Sequence, residues 1–558
     1  MTVADYIADF FVKNSIRHVF GFQGGAILKL VDAMMATGKI RYVQNYHEQA
    51  SGFCADAYSR VNGNIGVALA TSGPGATNLI TGIANAQLDS IATLFITGQD
   101  YTANVTRNNG ARLNGFQDLD IVSVAKPITK YAVAITDPAS VRYELEKAYY
   151  LAKEGRPGAV LLDIPIDVQF KEIDPEKLRS FELPTTVAPT DSLLKVLELI
   201  KNSKRPVILA GGGIQIAGVE QQLKVFVDRT KIPVVTTLNG LDAFEGAYSF
   251  AGLHGNTFSN LAIQNSDLLI VLGARLGQRQ VGKKPETYTT AKIIHVDADA
   301  SELGRTMLEE ISIKSELKSF LVTIVKEMGP SKFPDFSAWH KTIQAWDLKF
   351  EATAHMSERG IDPVRAVKTL SQFFDSDAVI TNDVGQNQMW VSQAFRKKGT
   401  QRLLNSSGLG AMGYSLPAAI ACTFARPGAQ VIAFTGDGGL QMNIQELMVV
   451  GQRQLPIKCI VLNNNSLGMM REVQKRYYNE NYHGANVGEF ACVNLEKIAS
   501  AYELSFVRVT SEDQIPALGE AMKNSKPYLI DLQIAFDSRL SNRYDEADLF
   551  AAEKLNES

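Results

Sequence analysis

Two stretches of this chain spell one unit. VALATSGPGATNLITGIANAQLDSIATLFITG (67–98) and VIAFTGDGGLQMNIQELMVVGQRQLPIKCIVLNN (431–464) each read apolar strand, glycine-rich turn, helix, apolar strand, at nearly the same spacing. Apolar runs of this kind suit strands buried on both faces, and a helix between two of them makes a right-handed crossover in a parallel sheet. Short β-branched runs alternate with helical patterns from end to end, so the expected class is α/β, with parallel sheets covered by helices. A chain of 558 residues is too long for one core; at about 150 residues per domain it divides into three or four. Two polar, proline-containing stretches break the alternation, EIDPEKLRSFELPTTVAPTD (172–191) and GPSKFPDFS (329–337). They leave segments of roughly 170, 150 and 200 residues, each the size of an α/β domain.

Several function classes are disfavoured at this level. A net charge of −3 offers no basic footprint for nucleic acid or for an anionic membrane surface. Cys54, Cys422, Cys459 and Cys492 form no CxxC pair and sit in apolar contexts, which reads as buried thiols in a reducing, cytoplasmic compartment. MTVADYIADFFVKNSIRHVFGF carries Asp5, Asp9 and Lys13 within its apolar pattern, as an amphipathic helix leading into a strand does and a signal peptide does not. No apolar run approaches membrane-spanning length. The middle segment's PVILAGGGIQIAG (206–218) has Ile216 where a GxGxxG fingerprint needs its third glycine, and no GxxxxGK[ST] occurs. A nicotinamide Rossmann domain and a P-loop are both disfavoured.

The chemistry concentrates at the ends of the repeated strands. Asp437 stands between Gly436 and Gly438, with Gly439 following, and Asn464 lies one strand–helix–strand unit later. A right-handed crossover brings both to the same carboxyl edge, where open α/β sheets bind ligands. A carboxylate, an amide oxygen and a loop carbonyl form a hard oxygen set suited to Mg²⁺, with phosphate oxygens completing the octahedron. The glycines admit backbone N–H groups to those phosphates, and the helix N-terminus favours their charge. A tight turn that uses Gly-Asp-Gly only as turn chemistry is the simpler alternative. The asparagines one crossover later argue against it.

GDG at this spacing from NN resembles the diphosphate motif of thiamine diphosphate (ThDP) enzymes. Eight segments in order, FGFQGGAI, YHEQASG, ATSGPGATNLITG, ITGQ, GRPGAVLLDIP, DVGQNQMW, SSGLGAMGYSLPAA and the GDG–NN block, resemble the catalytic subunit of acetohydroxyacid (acetolactate) synthase across nearly the whole chain. The resemblance implies three doubly wound domains: pyrimidine-binding (1–172), central FAD-binding (188–330) and diphosphate-binding (355–535), with a tail over 536–558. It implies a homodimer or homotetramer with each ThDP between two chains, and pyruvate plus a carbonyl acceptor as substrates. It makes Asp437, Asn464 and the Ser466 carbonyl the Mg²⁺ ligands. YVQNYHEQASGF reads as a strand ending at His47 with Glu48 opening a helix. Glu48 is a first-turn acid complementing the helix dipole on the simplest reading. The resemblance instead makes it the catalytic carboxyl that shares a proton with the pyrimidine ring nitrogen. Further implied ThDP contacts are Thr71, Pro74 and Asn78 in ATSGPGATN, Gly385 and Gln386 in DVGQ, and Gly410 in GLGAMG. Leu467, Gly468 and Met469 follow the asparagines in the same role. Met412 matches the family's apolar wedge beneath the cofactor. Gln117 and Phe116 match its FQE pocket, although a loop glutamine and a core phenylalanine are the simpler reading.

The middle segment resembles the same family's FAD domain, through Gly212 and Gly213 in AGGGI, Leu253 and His254 in AGLHGN, Gly273 and Arg275 in GAR, and Asp297 in HVDAD. Arg156 in GRPG belongs to the same set. Such an FAD would be structural, because decarboxylation with carboligation moves no net electrons. Departures from the family gather on the acceptor side. Ile166 replaces the DIPKD lysine, Val473 the tryptophan of LGMVxQW, and Gln23, beside Gly24, the GYPGG proline; FDDR becomes LGQR, which keeps Arg279. Arg279 is either the grip on a keto-acid carboxylate or a surface arginine beside Arg275, Lys283 and Lys284. The family's C-terminal lid sequence is missing. Everything implied for ThDP and Mg²⁺ is retained while the groups that choose the second substrate have changed. The expectation is therefore a ThDP carboligase whose acceptor is a ketone or nucleotide-bound keto-sugar, as in the yersiniose-forming type. The alternatives are an acetolactate synthase using a second 2-keto acid, an FAD-dependent pyruvate oxidase and, from another class, a non-catalytic regulatory subunit.

Overall fold

A computed structural model describes residues 1–105, 110–183, 192–353, 360–485 and 488–540. It contains three parallel sheets flanked by helices. The first is built from β1 (His18–Gly21), β2 (Arg41–Gln44), β3 (Gly66–Ala70), β4 (Thr93–Gln99), β5 (Tyr131–Ala134) and β6 (Ala159–Pro165), in the order β2-β1-β3-β4-β6-β5. The middle sheet holds β7 (Pro206–Ala210), β8 (Val234–Thr236), β9 (Leu268–Leu272), β10 (Lys292–Asp297) and β11 (Ile311–Lys314), ordered β11-β10-β9-β7-β8. The third holds β12 (Val379–Asn382), β13 (Arg402–Asn405), β14 (Val431–Gly436), β15 (Ile457–Asn463), β16 (Ser505–Val509) and β17 (Tyr528–Gln533), ordered β13-β12-β14-β15-β17-β16. Counted from its own first strand, the third sheet repeats the order of the first. The repeated sequence unit thus marks a repeated topology, with β3–β4 and β14–β15 as the matching pairs.

In every sheet the chain winds outward from the first strand in one direction and then returns to wind in the other. The loops after the two central strands therefore diverge, leaving a crevice at the carboxyl edge. These switch points lie between β1 and β3, between β7 and β9, and between β12 and β14.

The outer sheets are joined through helices Glu48–Asn62 and Ser415–Ala425. They share one hydrophobic core that runs from Phe53 and Ile83 to Ile420 and Val461. Phe53 meets Tyr414 edge-on with ring centroids 5.5 Å apart, and the Cys54 thiol donates to the Pro417 carbonyl at 3.0 Å. Cys54, Cys422 and Cys459 are buried thiols as expected, whereas Cys492 is only half-buried.

Two boundaries differ from the sequence reading. The strand before Glu48 stops at Gln44, three residues short of His47. The Asn45 N–H still donates to the Gly21 carbonyl at 2.9 Å, but the next N–H, that of Tyr46, turns to the buried carboxylate of Glu446 at 2.9 Å, which the Asn45 side-chain amide also reaches at 3.0 Å. The middle core also reaches past residue 330. Helix Ser337–Thr353 buries Trp339, Ile343 and Trp346 against that sheet, and Trp339 Nε1 donates to the Pro206 carbonyl at 3.2 Å. Most of the expected tail, 541–558, lies outside the described residues. No helix among the described residues is long and apolar enough to cross a membrane.

Helix Glu48–Asn62 crosses helix Ile80–Asp89 at paired glycines. A Cβ on Gly82 would stand 2.8 Å from the Gly52 Cα, and one on Gly52 would stand 2.9 Å from the Gly82 Cα. Gly82→Ala is expected to force these helices apart at a cost of about 1–3 kcal/mol. This would appear as a lower urea midpoint at unchanged slope; an unshifted midpoint would mean that the crossing tolerates a side chain.

Candidate functional site

The β1–β3 crevice gathers the N-terminal set. Glu48 opens its helix and is only 6% exposed, and Asn78 donates its amide to Glu48 Oε2 at 2.9 Å. Thr71 and Pro74 lie on the loop after β3. The Thr71 hydroxyl accepts from the Ala26 N–H at 3.2 Å, and a Cβ on Gly24 would stand 2.5 Å from the Thr71 Cβ. Gly24 is required by that approach, and it brings the Gln23–Gly24 loop onto the loop after β3. Gly75 leaves the other carboxylate oxygen uncovered: a Cβ there would come within 3.1 Å of Glu48 Oε1. Gln117 sits at φ 64, a left-handed conformation that costs a non-glycine residue about 1 kcal/mol or more. It packs so closely on Gly73 that a Cβ there would be 2.8 Å from its own. Its neighbour Phe116 is 82% exposed, not the core phenylalanine of the simpler reading. Ile166, half-buried, begins helix Ile166–Gln169 directly after β6, at the same edge.

The β12–β14 crevice gathers the second set. Asp437 begins the helix after β14 and is 3% exposed. Its Oδ1 accepts from the Gly438 N–H at 2.8 Å and its Oδ2 from the Ser466 N–H at 3.2 Å. Burial pushes the Asp437 carboxyl up to about 6, against the pull of those N–H donors. Asn464 donates its amide nitrogen to Gln386 Oε1 at 3.2 Å, which leaves its amide oxygen for another partner. The Ser466 carbonyl accepts from the Gly468 N–H at 2.8 Å and keeps a second lone pair. One buried carboxylate, one amide oxygen and one carbonyl suit Mg²⁺, and a cation would offset the desolvation of Asp437.

Two glycines keep this crevice open. Gly468 stands where a Cβ would come within 1.9 Å of Gln386 Oε1, and Gly436 faces Asn387 in the helix capped by Gly385. Gly438 meets Leu467 and Met412, whose Cε lies 3.3 Å from the position of a Gly438 Cβ. A Cβ on Gly439 would be 2.9 Å from the Asp383 carboxyl. Asp383 is itself pushed up to about 6 by burial, despite accepting from the N–H groups of Ser415, Gly413 and Val384. Met469 and Val473 lie half-buried on helix Gly468–Tyr477, and Gly410 takes φ 71 on the approach to Met412.

Glu48 and Asp437 lie in separate crevices, and no hydrogen bond among the described residues joins Glu48 to Asp437, Asn464 or Ser466. The same chain's C-terminal sheet meets the flanks of Glu48 elsewhere. Asn443 donates to Gln49 at 3.2 Å, and Glu446 holds Tyr46. Those residues follow the far end of helix Asp437–Met442, about 9 Å along its axis from Asp437.

The β7–β9 crevice opens into a cavity of about 600 Å³. Its wall includes Gly212, Gly213, Leu253, Gly273, Arg275 and Asp297, with Arg156 and Arg279 alongside. The two glycine turns touch: a Cβ on Gly213 would stand 2.8 Å from the Gly273 Cα. This size and a mixed polar and apolar wall suit a nucleotide cofactor. Three of the expected residues also have protein partners. Arg156 lines the cavity, but its guanidinium is engaged by Asp299 at 3.0 Å and Glu302 at 2.7 Å. Arg279 donates to the Ser407 carbonyl at 3.1 Å and to Gln388 Oε1 at 3.2 Å, so it braces the C-terminal segment. The His254 carbonyl accepts from Gln393 at 2.8 Å, another contact with that segment. Residues that the sequence did not single out include Asp89, Arg60 and Asn239, which meet around Ser407 and Gly408. None carries a motif signal beyond its residue type. Asp383, the acid that opens DVGQ, had one.

Residues 1–124, 193–324 and 383–532 match the families described as thiamine pyrophosphate enzyme, N-terminal TPP binding domain, central domain and C-terminal TPP binding domain. The chain is 35% identical over 545 residues to the acetolactate synthase large subunit of Porphyra purpurea, covering 95% of this chain and 91% of that one. Against the acetolactate synthase large subunit of Lactococcus lactis subsp. lactis the identity is 36% over 528 residues, covering 93% and 90%. Against acetolactate synthase 1, chloroplastic, of Oryza sativa subsp. japonica it is 35% over 548 residues, covering 95% and 84%. Asp437→Ala is expected to abolish Mg²⁺-dependent retention of thiamine diphosphate with little change in the thermal midpoint. Calorimetric titration checks this, and undiminished binding would remove Asp437 from the metal set.

Proposed function

Because this chain belongs to the acetolactate synthase large-subunit family of thiamine diphosphate enzymes, we propose that it decarboxylates pyruvate and transfers the two-carbon unit to a ketone or nucleotide-bound keto-sugar. The observation that carries the catalytic part is Glu48, buried, held on one oxygen by Asn78 and left open on the other by Gly75. When bound, ThDP supplies a carbon nucleophile and an electron sink for loss of CO₂. Glu48 would present Oε1 to the pyrimidine ring nitrogen, with Asn78 fixing the direction of the carboxyl group. Asp437, Asn464 and the Ser466 carbonyl would hold Mg²⁺, and Gly438 and Gly439 would admit the diphosphate to the helix N-terminus. Met412, beside the Gly438 turn, would pack against the cofactor.

The separation of the two crevices on one chain supports a homo-oligomer in which Glu48 of one protomer serves Asp437 of its partner. Phe116, largely exposed here, is a natural contact for that partner. The central cavity suits a structural FAD at the β7–β9 switch point, with Asp297 and Arg275 as its polar contacts. Four free thiols fit a reducing, cytoplasmic setting.

Acceptor choice rests on Ile166 and Val473. Ile166 removes the cation of the family's lysine and Val473 the aromatic wall of its tryptophan, and a carboxylate brought to such a roomier, apolar site without paired donors would be desolvated at a cost. Arg279, engaged by neutral acceptors at the cavity, is poorly placed to supply those donors. The names of the relatives favour a second reading, acetolactate synthesis from two keto acids. Competition between pyruvate self-condensation and ketone addition, read by mass spectrometry across a panel that includes keto-sugars, separates the two. The expected result is faster bond formation with a ketone, shifted back toward keto acids by Val473→Trp. Acetolactate as sole product would leave the second reading.

A further inference from the structure

The loop carrying Gly410 and Met412 is gripped before it reaches the β12–β14 crevice. Asp89, the last residue of helix Ile80–Asp89, is 5% exposed. Its Oδ1 accepts from the Gly408 N–H at 2.7 Å and from Asn239 Nδ2 at 3.1 Å. Its Oδ2 accepts from the Ser407 N–H at 3.0 Å and from Arg60 Nη2 at 3.0 Å. One carboxylate therefore takes two consecutive N–H groups of the loop. Arg60, which also pairs with Asp56 at 2.8 Å and donates to the Asn405 carbonyl at 3.2 Å, compensates its charge. Ser406 makes an independent tie. Its hydroxyl donates to Asn85 Oδ1 at 2.6 Å and accepts from the Ala411 N–H at 2.9 Å. Gly408 completes the fit, since a Cβ there would stand 2.7 Å from the Leu88 carbonyl oxygen.

Paired bonds to successive N–H groups fix both the position of a chain and its heading. From Gly408 to Met412 is a reach of at most about 14 Å, so a small rotation at Ser407–Gly408 displaces the Met412 side chain from the Gly438 turn. We propose that Asp89 and Ser406 are positioning residues for the reaction, setting the heading of the Asn405–Met412 loop and so keeping Met412 in the diphosphate crevice. The role of Met412 rests on the ThDP reading above; the grip on the loop does not.

Asp89→Asn and Ser406→Ala test this with two readouts. Amide hydrogen exchange of the 405–412 segment in the cofactor-free protein is expected to quicken by about tenfold or more, as loss of a buried charge-assisted bond implies. Exchange in β3 should be unchanged. In protein loaded with ThDP and Mg²⁺, exchange of the cofactor's thiazolium proton, followed by NMR, should slow by about 10- to 100-fold for Asp89→Asn, and by less for Ser406→Ala. KM for pyruvate should stay within about twofold, because neither side chain is expected to touch substrate. Wild-type loop protection in either folded variant overturns the proposal, as does a loosened loop with normal thiazolium exchange. If Asp89→Asn does not fold, Ser406→Ala decides by the same measurements. Wild-type protein that binds no ThDP would withdraw the functional reading and with it the role of Met412, while amide exchange still tests the grip.

Discussion

Everything functional in this chain follows from one constraint on parallel sheets. When winding reverses, the loops leaving two adjacent strands must part, and side chains do not close the gap at the sheet edge. All three sheets reverse once, and each gap is bordered by glycines that let its two sides approach closely. Gly24 lies against Thr71, Gly213 against Gly273, and Gly436 against the Asn387 helix. A Cβ at any of these positions would press on the opposite side of its gap. The glycines are therefore a requirement of the crevices rather than of the turns alone.

The second condition is that the three crevices keep fixed positions relative to one another. Buried polar groups meet this condition where apolar packing alone would allow sliding. Asp56 accepts from Arg60 and from the Tyr414 hydroxyl, Asp89 from Arg60, Asn239 and two loop N–H groups, and Asp242 from Arg402 at 2.7 Å. Removing one partner from a buried pair of this kind typically costs about 3–5 kcal/mol. Directional bonds at this junction thus tie N-terminal, middle and C-terminal segments into one frame, and the loop to Met412 leaves from it.

The α/β class, the repeated unit and the chemical character of the Asp437–Asn464 pair were legible because they depend on local pattern: apolar runs, glycine turns and the length of one crossover. Glu48 was legible as the residue opening its helix, but what makes it a carboxyl in a defined direction is Asn78, thirty residues on. Roles set by distant partners were not legible. Glu446 ends the strand before Glu48 from about 400 residues away. Asp89 holds Ser407 and Gly408 across more than 300. The protein partners of Arg156 and Arg279 were not legible either, because the sequence does not show Asp299, Glu302 or the Ser407 carbonyl beside them. The middle segment was ended at 330 because a proline-containing stretch follows, although Trp339 and Trp346 beyond it belong to the middle core.

On the proposed reading, each of the two crevices on one chain is half of a site that another copy completes. Co-expression of a Glu48→Gln chain with an Asp437→Ala chain tests it most directly, since each is expected to be inactive alone. In a mixed dimer one site carries both substitutions and the other carries neither. Random pairing should then restore roughly a quarter of wild-type turnover per protomer. Turnover no higher than that of the separate variants would contradict the account, because it would put Glu48 and Asp437 of one chain in the same site.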